Sequence, residues 1–277
     1  MSTDENCRHD VENCEAEIYD TYGATERDDV DHLRGLIASR GQLRILEPFC
    51  GTGRMLIPLA QDGHELVGMD KSEGMLIGAR RKIAQLPPDV QSRITLIKAD
   101  VTTYPWPRDF DLVILGCNCF YELATAEEQE GCIISAAQAL LHGGYLFVDH
   151  DSMEGELAAA WREKSDLRGR PSRAYMRGRP ALVCADGTSF RFFGKTIWFD
   201  APRRLHRSHG YCLVTLPDGR EQLTHGIRQK HPISAQETRD WLIKHGFAIR
   251  DFTCGVGGPP WSSGAGRATF WAQKRER

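Results

Sequence analysis

Between Arg44 and His150 short apolar runs alternate with longer amphipathic stretches, and this alternation leaves few folds open. Arg44–Glu47, Glu65–Asp70, Ile94–Lys98, Phe110–Leu115 and Tyr145–His150 read as strands. Thr52–Gln61, Glu73–Gln85 and Glu127–Leu141 read as helices, the second ending before Pro87-Pro88 and the third closed by Gly143-Gly144. Strand–helix units of roughly 20–30 residues predict a parallel sheet with helices on both faces. The strand runs are continuously apolar, as strands buried on both sides must be.

The pattern changes after the fifth strand. Within 181–231 the runs RFFGKTIWF, RLHRSHGYCLVTL and EQLTHGI are β-rich, and Asp186-Gly187 and Asp218-Gly219 sit between runs as hairpin turns. GELAAAWREKS reads as helix and RGRPSRAYMRGRP as a basic, solvated loop. A helix returns at Ser234–His245, opened by Ser234 with Glu237 three residues on and closed by Gly246. Phe247–Phe252 and Ala268–Ala272 read as the last strands, and the glycine-rich GVGGPPWSSGAGR before the second as a surface loop far from the sheet's ligand-binding rim. Residues 17–40 read as a helix broken near Gly23. Residues 1–16 read as a disordered tail, 17–150 and 232–277 as one α/β core, and 151–231 as an antiparallel insertion roofing a pocket.

A formal charge of −3 gives no general attraction to nucleic acid. No apolar run approaches the roughly 18 residues that cross a membrane. The acidic start MSTDENCRHDVENCEAE is unlike a signal peptide, so nine cysteines read as reduced thiols in a cytoplasm. Cys7, His9 and Cys14 match no common zinc spacing. Cys117 and Cys119 read as core packing on one strand face.

ILEPFCGTGRML places a glycine turn between the first strand and its helix. Gly51 and Gly53 give G-x-G, but Leu56 stands where the dinucleotide fingerprint needs a third small residue, which disfavours a nicotinamide cofactor. Asp70 ends the second strand, where a carboxylate accepts from ribose hydroxyls. Asp100 ends the third, within reach of an adenine amino group. A turn and two acids thus fall on successive strand ends, at the rim where open α/β sheets bind ligands.

With ILEPFCGTGRML, GMDKSEGML, KADV, FDLVILGCNCFYEL and ALLHGGYLFVDHD, the chain resembles the class I S-adenosylmethionine-dependent methyltransferases. The resemblance covers roughly residues 17–150, and the C-terminal helix and strands fit the family's ending. It is nearest to glycine N-methyltransferase-like enzymes and to amino-sugar N,N-dimethyltransferases. It implies a Rossmann-like seven-stranded sheet with helices on both faces and an antiparallel insertion after the fifth strand. It implies S-adenosylmethionine as cofactor and S-adenosylhomocysteine as product. The implied cofactor residues are Tyr19, Glu47, Phe49, Gly51, Gly53, Asp70, Lys71, Met75, Asp100, Val101, Gly116 and Cys117. Glu47 stands where the family has an acid that meets the methionine amino group. Phe49 departs from the small residue usual there.

The activated sulfonium methyl needs alignment and exclusion of water more than further chemistry. The residues expected to face it are Tyr22, Asn118 and Asp151, with Tyr19 and Tyr22 folding over the cofactor. Asn118 matches an asparagine that lies by the substrate in the glycine-methylating group. Asp151 replaces that group's carboxylate-binding arginine, which points to a small-molecule acceptor bearing an amine or another cation. In the insertion Arg191, Phe193, Trp198, His206, His209 and Tyr211 are candidates, although alternation lets only some face a pocket. O-, S- or C-methylation of a metabolite and a non-catalytic binder of the same fold are the alternatives. No ligand cluster suggests a metal, no nucleic-acid module is evident, and nothing supports or opposes an oligomer.

Overall fold

A computed structural model describes residues 16, 17, 19, 20, 28–153, 170–184 and 186–276. Helix α1 (Asp28–Ile37) precedes strand β1 (Arg44–Glu47), α2 (Leu56–Gln61) and β2 (Glu65–Asp70). Then come α3 (Glu73–Ile83), the short α4 (Pro88–Gln91), β3 (Ile94–Lys98) and β4 (Phe110–Leu115). A 3-10 turn (Cys119–Glu122) leads into α5 (Ala126–Ala139) and β5 (Leu140–Asp151). After α6 (Arg173–Arg177) follow β6 (Leu182–Val183), β7 (Ser189–Asp200), β8 (Leu205–Thr215) and β9 (Glu221–Lys230). The chain closes with α7 (Ala235–Lys244), β10 (Phe247–Thr253) and β11 (Arg267–Lys274).

Seven strands form one sheet in the order β10-β11-β5-β4-β1-β2-β3. β1 to β5 pair in parallel, and β11 runs antiparallel to both β5 and β10. Two apolar clusters cover its faces. One gathers Phe110, Phe120 and Ile133 with Leu242 of α7, and the other gathers Leu33 of α1, Leu56 and Leu59 of α2 and Leu76 of α3. The strands are thus buried on both sides, as their apolar runs require. Strands β6 to β9 form a separate antiparallel sheet in sequence order. Gly187 and Gly219 turn its chain at φ +89° and +84°, a backbone conformation that glycine adopts without strain. No helix among the described residues is long and apolar enough to cross a membrane.

Several expectations need correction. The helix after the glycine turn starts at Leu56, because Thr52–Met55 remain in the turn. Gly143-Gly144 does not close α5. That helix ends at Ala139, and Leu140 already pairs with Phe110, so the glycines lie inside β5 at a register shift, Gly143 at φ +79°. The basic run contains α6, capped by Ser172, whose hydroxyl accepts from Tyr175 N. The glycine-rich loop is not remote from the rim: β11 starts where β5 ends, Arg267 opposite Asp151. The expected helix over 155–165, Gly23 and nearly all of the expected tail lie outside the described residues.

The insertion leaves the core beside the point where it returns. Met153 N donates to Ile233 O at 2.9 Å. Arg204, in the β7–β8 turn, donates to Met153 O and Pro232 O and pairs with Glu237 at 3.4 Å. The expected capping box of α7 is present, Ser234 and Glu237 exchanging hydrogen bonds. Arg204 and Gln229, whose Nε2 donates to Ala124 O at 3.2 Å, thus fasten the second sheet to the core.

Candidate active site

Because β1 to β5 are parallel, Glu47, Asp70, Asp100, Asn118 and Asp151 all come to one end of the large sheet. The glycine turn holds that end together. Gly51 and Gly53 sit at φ +52° and +81°. Gly51 N donates to Asp70 Oδ2 at 2.9 Å and Ser72 N to Asp70 Oδ1 at 2.8 Å. One carboxylate thus ties the turn to the start of α3, and each oxygen keeps a lone pair for a ligand. Burial pushes the Asp70 carboxyl up against those two hydrogen bonds. Leu56 is accommodated because the small residue lies on the strand instead. A Cβ at Gly68 would come 2.5 Å from Leu56 Cδ1 and 2.9 Å from Cys50 Sγ.

Beneath the turn Glu47 is 5% exposed, and its Oε2 has no hydrogen-bond partner among the described residues. Burial pushes its carboxyl up to about 8. Beside it Arg54 forms a bidentate pair with Asp29 of α1, Nη1 donating to Oδ1 at 2.8 Å, and also reaches Cys117 Sγ. Both charged side chains are nearly buried, at 12% and 11% exposure. Burial raises the Tyr19 hydroxyl to about 12, and Arg54 hydrogen-bonds it. Burial likewise pushes the Cys117 thiol up to about 12, which keeps it uncharged at neutral pH. Sequence reasoning missed Arg54 and Asp29. The arginine directly after Gly53 was visible, but its partner precedes the sheet and only the fold brings them together.

An open cleft of about 860 Å³ lies over this floor. Tyr19, Phe49, Gly51, Asp70, Lys71, Met75, Asp100, Val101, Gly116, Cys117 and Asn118 line it, so most of the expected residues converge. Glu47 lies beneath the turn and Gly53 within it, both outside that lining, and Tyr22 lies outside the described residues. Cys117 and Asn118 follow β4 in left-handed conformation, at φ 54° and 60°. Cys117 and Cys119 therefore do not share a strand face: both border the cleft, but Cys117 packs against one core cluster and Cys119 is buried in the other. Asp100 Oδ1 accepts from Thr102 N at 2.9 Å and Thr102 Oγ1 at 2.7 Å, a local turn that aims the carboxylate.

Asn118 and Asp151 clasp each other across the ends of β4 and β5. Asn118 Nδ2 donates to Asp151 Oδ2 at 2.8 Å, and Asp151 N donates to Asn118 Oδ1 at 2.9 Å. Asn118 lines the cleft and Asp151 stands behind it. His150 is fully buried and braces the same corner: its Nδ1 lies 2.7 Å from Asp151 O and its Nε2 2.9 Å from Thr238 Oγ1.

The roof presents other side chains than those singled out from sequence. Phe192 and Arg228 line the cleft. Strand alternation sends Phe193, His209 and Tyr211 to the opposite face, where Phe193 packs edge-on against Tyr175 of α6. The arginines of the basic run serve that outer face too: Arg177 donates to Glu221 at 2.6 and 2.7 Å, and Arg179 to Phe192 O.

Residues 45–144 match a family model described as a methyltransferase domain. Over those residues the chain is similar to methyltransferase domains, and its fold is that of the class I S-adenosylmethionine-dependent methyltransferases. An S-adenosylmethionine-dependent methyltransferase of Clostridium acetobutylicum superposes with a TM-score of 0.68 at 15% identity, covering 95% of this chain and 99% of that one. The sugar N-methyltransferase KedS8 of Streptoalloteichus gives 0.64 at 18% identity, over 94% and 92%. In sequence, a Streptomyces venezuelae dTDP-3-amino-3,4,6-trideoxy-α-D-glucopyranose N,N-dimethyltransferase is 27% identical over 170 residues, 58% of this chain and 67% of its own length. A Bacillus subtilis protein provisionally named methyltransferase YqeM is 32% identical over 113 residues, 40% of this chain. The chain spans under half the length of the first curated relatives it matches, 44% and 43%.

The cleft fits such a cofactor on its own geometry. The buried Glu47 carboxyl has one oxygen with no partner among the described residues, free to accept from a cationic donor. The Asp70 carboxylate is oriented by two backbone N–H groups and keeps lone pairs for a hydroxyl-bearing ligand.

Proposed function

We propose that the chain transfers the methyl group of S-adenosylmethionine to an amine nitrogen of a small molecule. The observation that carries this reading is the Oε2 of buried Glu47, without a partner among the described residues, on the same rim as the backbone-held Asp70 carboxylate. A buried carboxyl with an empty acceptor site is costly until a donor arrives. The ammonium of the cofactor's methionine is such a donor, and Asp70 would take the ribose hydroxyls. Asp100 would accept from the adenine amino group, and Phe49 and Met75 would pack on the cofactor. When bound, the cofactor supplies an electrophilic methyl on a sulfonium.

The chain's own residues then place the acceptor. Asn118 keeps one amide hydrogen and one lone pair beyond the clasp, and both can hold an amine. Asp151 acts through Asn118 and adds negative charge behind it, which favours an acceptor nitrogen that is positively charged or becomes so. The proton shed by that nitrogen has a carboxylate nearby before it reaches water. On the roof Arg228 lines the cleft, and the Lys230 ammonium lies 5.3 Å over the Tyr121 ring. Burial pushes Lys230 down. The Glu122 carboxylate lines the same cleft and acts on Lys230 at a distance, but neither cation forms an ion pair within 4 Å among the described residues, so the acceptor is read as carrying an anionic group as well. The sugar N-methyltransferases among the neighbours support an amine acceptor of this kind. The protein is read as working in the cytoplasm, without membrane or nucleic-acid partners.

Calorimetry with S-adenosylhomocysteine tests the reading. Micromolar binding to the wild type is expected, with a roughly 10–100-fold loss in Asp70→Ala from unpaired ribose hydroxyls, about 1–3 kcal/mol. Labelled methyl transfer to a panel of amines follows, glycine and sarcosine included. Absence of binding to folded wild type would remove the cofactor reading. Efficient methylation of glycine would remove the role given to Asp151.

A further inference from the structure

The outer face of the insertion sheet, turned away from the cleft, carries two histidines on neighbouring strands. His209 of β8 and His225 of β9 are diagonal neighbours, because Tyr211 pairs with His225 and His209 with Ile227. His209 Nε2 lies 3.1 Å from His225 Nδ1, with the rings inclined at 64°. The Tyr211 hydroxyl lies 3.0 Å from the other ring nitrogen of His209, and its ring stacks on the imidazole at a centroid distance of 4.2 Å. Tyr211 itself is buried, which fixes the hydroxyl, whereas His225 is open to solvent.

We infer that His209 and His225 form a two-histidine site for a borderline divalent cation of the zinc, nickel or copper class. The two nitrogens that face each other are at hydrogen-bond distance, so one proton between them satisfies both. A cation can take that proton's place if both nitrogens turn their lone pairs inward. A tetrahedral ion with Zn–N bonds of about 2.0–2.1 Å sets its ligand nitrogens roughly 3.3 Å apart, close to the separation already present. The proton balance closes within the cluster. His209 would ligate through Nε2 and keep its proton on Nδ1, donating it to the Tyr211 oxygen, the arrangement in which a neighbouring acceptor fixes a ligand's tautomer. His225 would ligate through Nδ1 and keep its proton on Nε2, facing water. The remaining coordination positions face solvent and would hold water. Imidazole donors select this class of metal over magnesium or calcium, which prefer oxygen. Lys195 Nζ, 6.0 Å from the Tyr211 ring centre, is the neighbouring charge that opposes a cation. Such an ion would join β8 to β9 near the middle of their pairing and stiffen the roof without entering the cleft.

The site is independent of the methyl-transfer reading and is tested on the whole chain. After chelator treatment, zinc chloride is titrated calorimetrically into the wild type, His209→Ala, His225→Ala and Lys195→Ala. The expected result is one site that weakens at least tenfold in either histidine variant and tightens several-fold in the lysine variant. Histidine-selective 15N spectra provide a second readout that needs no variant to fold. One equivalent of zinc should shift the ring nitrogens of His209 and His225 before those of other histidines. Zinc binding equal in the wild type and both histidine variants, or first shifts at other histidines, overturns the inference.

Discussion

The two sheets solve opposite problems. In the large sheet, parallel strands end at one rim, so short loops bring Glu47, Asp70, Asp100 and Asn118 together whatever their distance in sequence. Polar groups there are fixed by backbone or buried beside a counter-charge. In the insertion sheet, long antiparallel strands leave alternate residues on two faces, one over the cleft and one partly covered by α6. A side chain's place in the first follows from where a strand stops. In the second it follows from register, and a shift of one residue exchanges the faces. Substitutions at the rim should therefore cost stability and cofactor binding, and those on the roof should alter the acceptor or almost nothing.

The largest effect is expected for Arg54→Ala. It leaves Asp29 nearly buried without its bidentate partner, and loss of one member of such a pair costs about 3–5 kcal/mol. Burial raises the Asp29 carboxyl and Arg54 holds it below its ordinary range, so the variant carboxyl should titrate higher. Urea unfolding monitored by circular dichroism measures the loss. A change under 1 kcal/mol would mean that the floor of the site does not depend on this pair. Gly68→Ala should follow, at about 1–3 kcal/mol, because the added methyl has nowhere to go between Leu56 and Cys50. A stable variant with unchanged cofactor affinity would refute the packing explanation for Leu56.

Glu47 sharpens the comparison through protons. Its folded-state carboxyl, raised to about 8 by burial, keeps its proton at neutral pH, whereas the unfolded chain releases it near 4.5. The folded state binds the extra proton between those values, so this group's contribution to stability is whole below about pH 4.5 and is lost as pH rises through about 8. A bound ammonium favours the ionised form. Cofactor binding near pH 7 should therefore release close to one proton, seen as a dependence of the calorimetric enthalpy on buffer ionisation heat. Glu47→Gln should abolish that dependence. Proton uptake by the wild type, or none, would separate Glu47 from the ammonium.

Much of the large sheet was legible because its signals are local. The bounds of β1 to β4 follow from apolar runs and their polar ends, and Ser234 with Glu237 marks the start of α7. The carboxylates at the rim were visible as the last residues of strands. Arg54 with Asp29 was not, since the pair spans 25 positions and depends on how α1 packs. β5 started earlier than expected because a glycine pair that resembles a helix stop instead marks an irregularity within a strand. The roof was least legible. β-rich runs and Asp-Gly turns gave the hairpins, but alternation offers two equivalent faces, and only contact with α6 and the cleft selects between them. Phe193, His209 and Tyr211 were therefore named where Phe192 and Arg228 were needed.

The smallest effect, and the one that tests the roof most directly, is expected on β9, where Ile227, Arg228 and Lys230 alternate between the faces. Ile227 is 62% exposed on the outer face, so Ile227→Ser should change stability by no more than about 0.5 kcal/mol and leave the kinetics alone. Lys230→Ala removes an ammonium from the cleft face without touching the rim. The Michaelis constant for an anionic amine acceptor should rise several-fold, with little change in affinity for S-adenosylhomocysteine. Such a split is expected because a group that meets only the acceptor contributes binding that the cofactor does not share. If instead Lys230→Ala weakened the cofactor and spared the acceptor, the roof would close over the cofactor alone, and the acceptor would have to enter from the side of the glycine-rich loop beside Arg267.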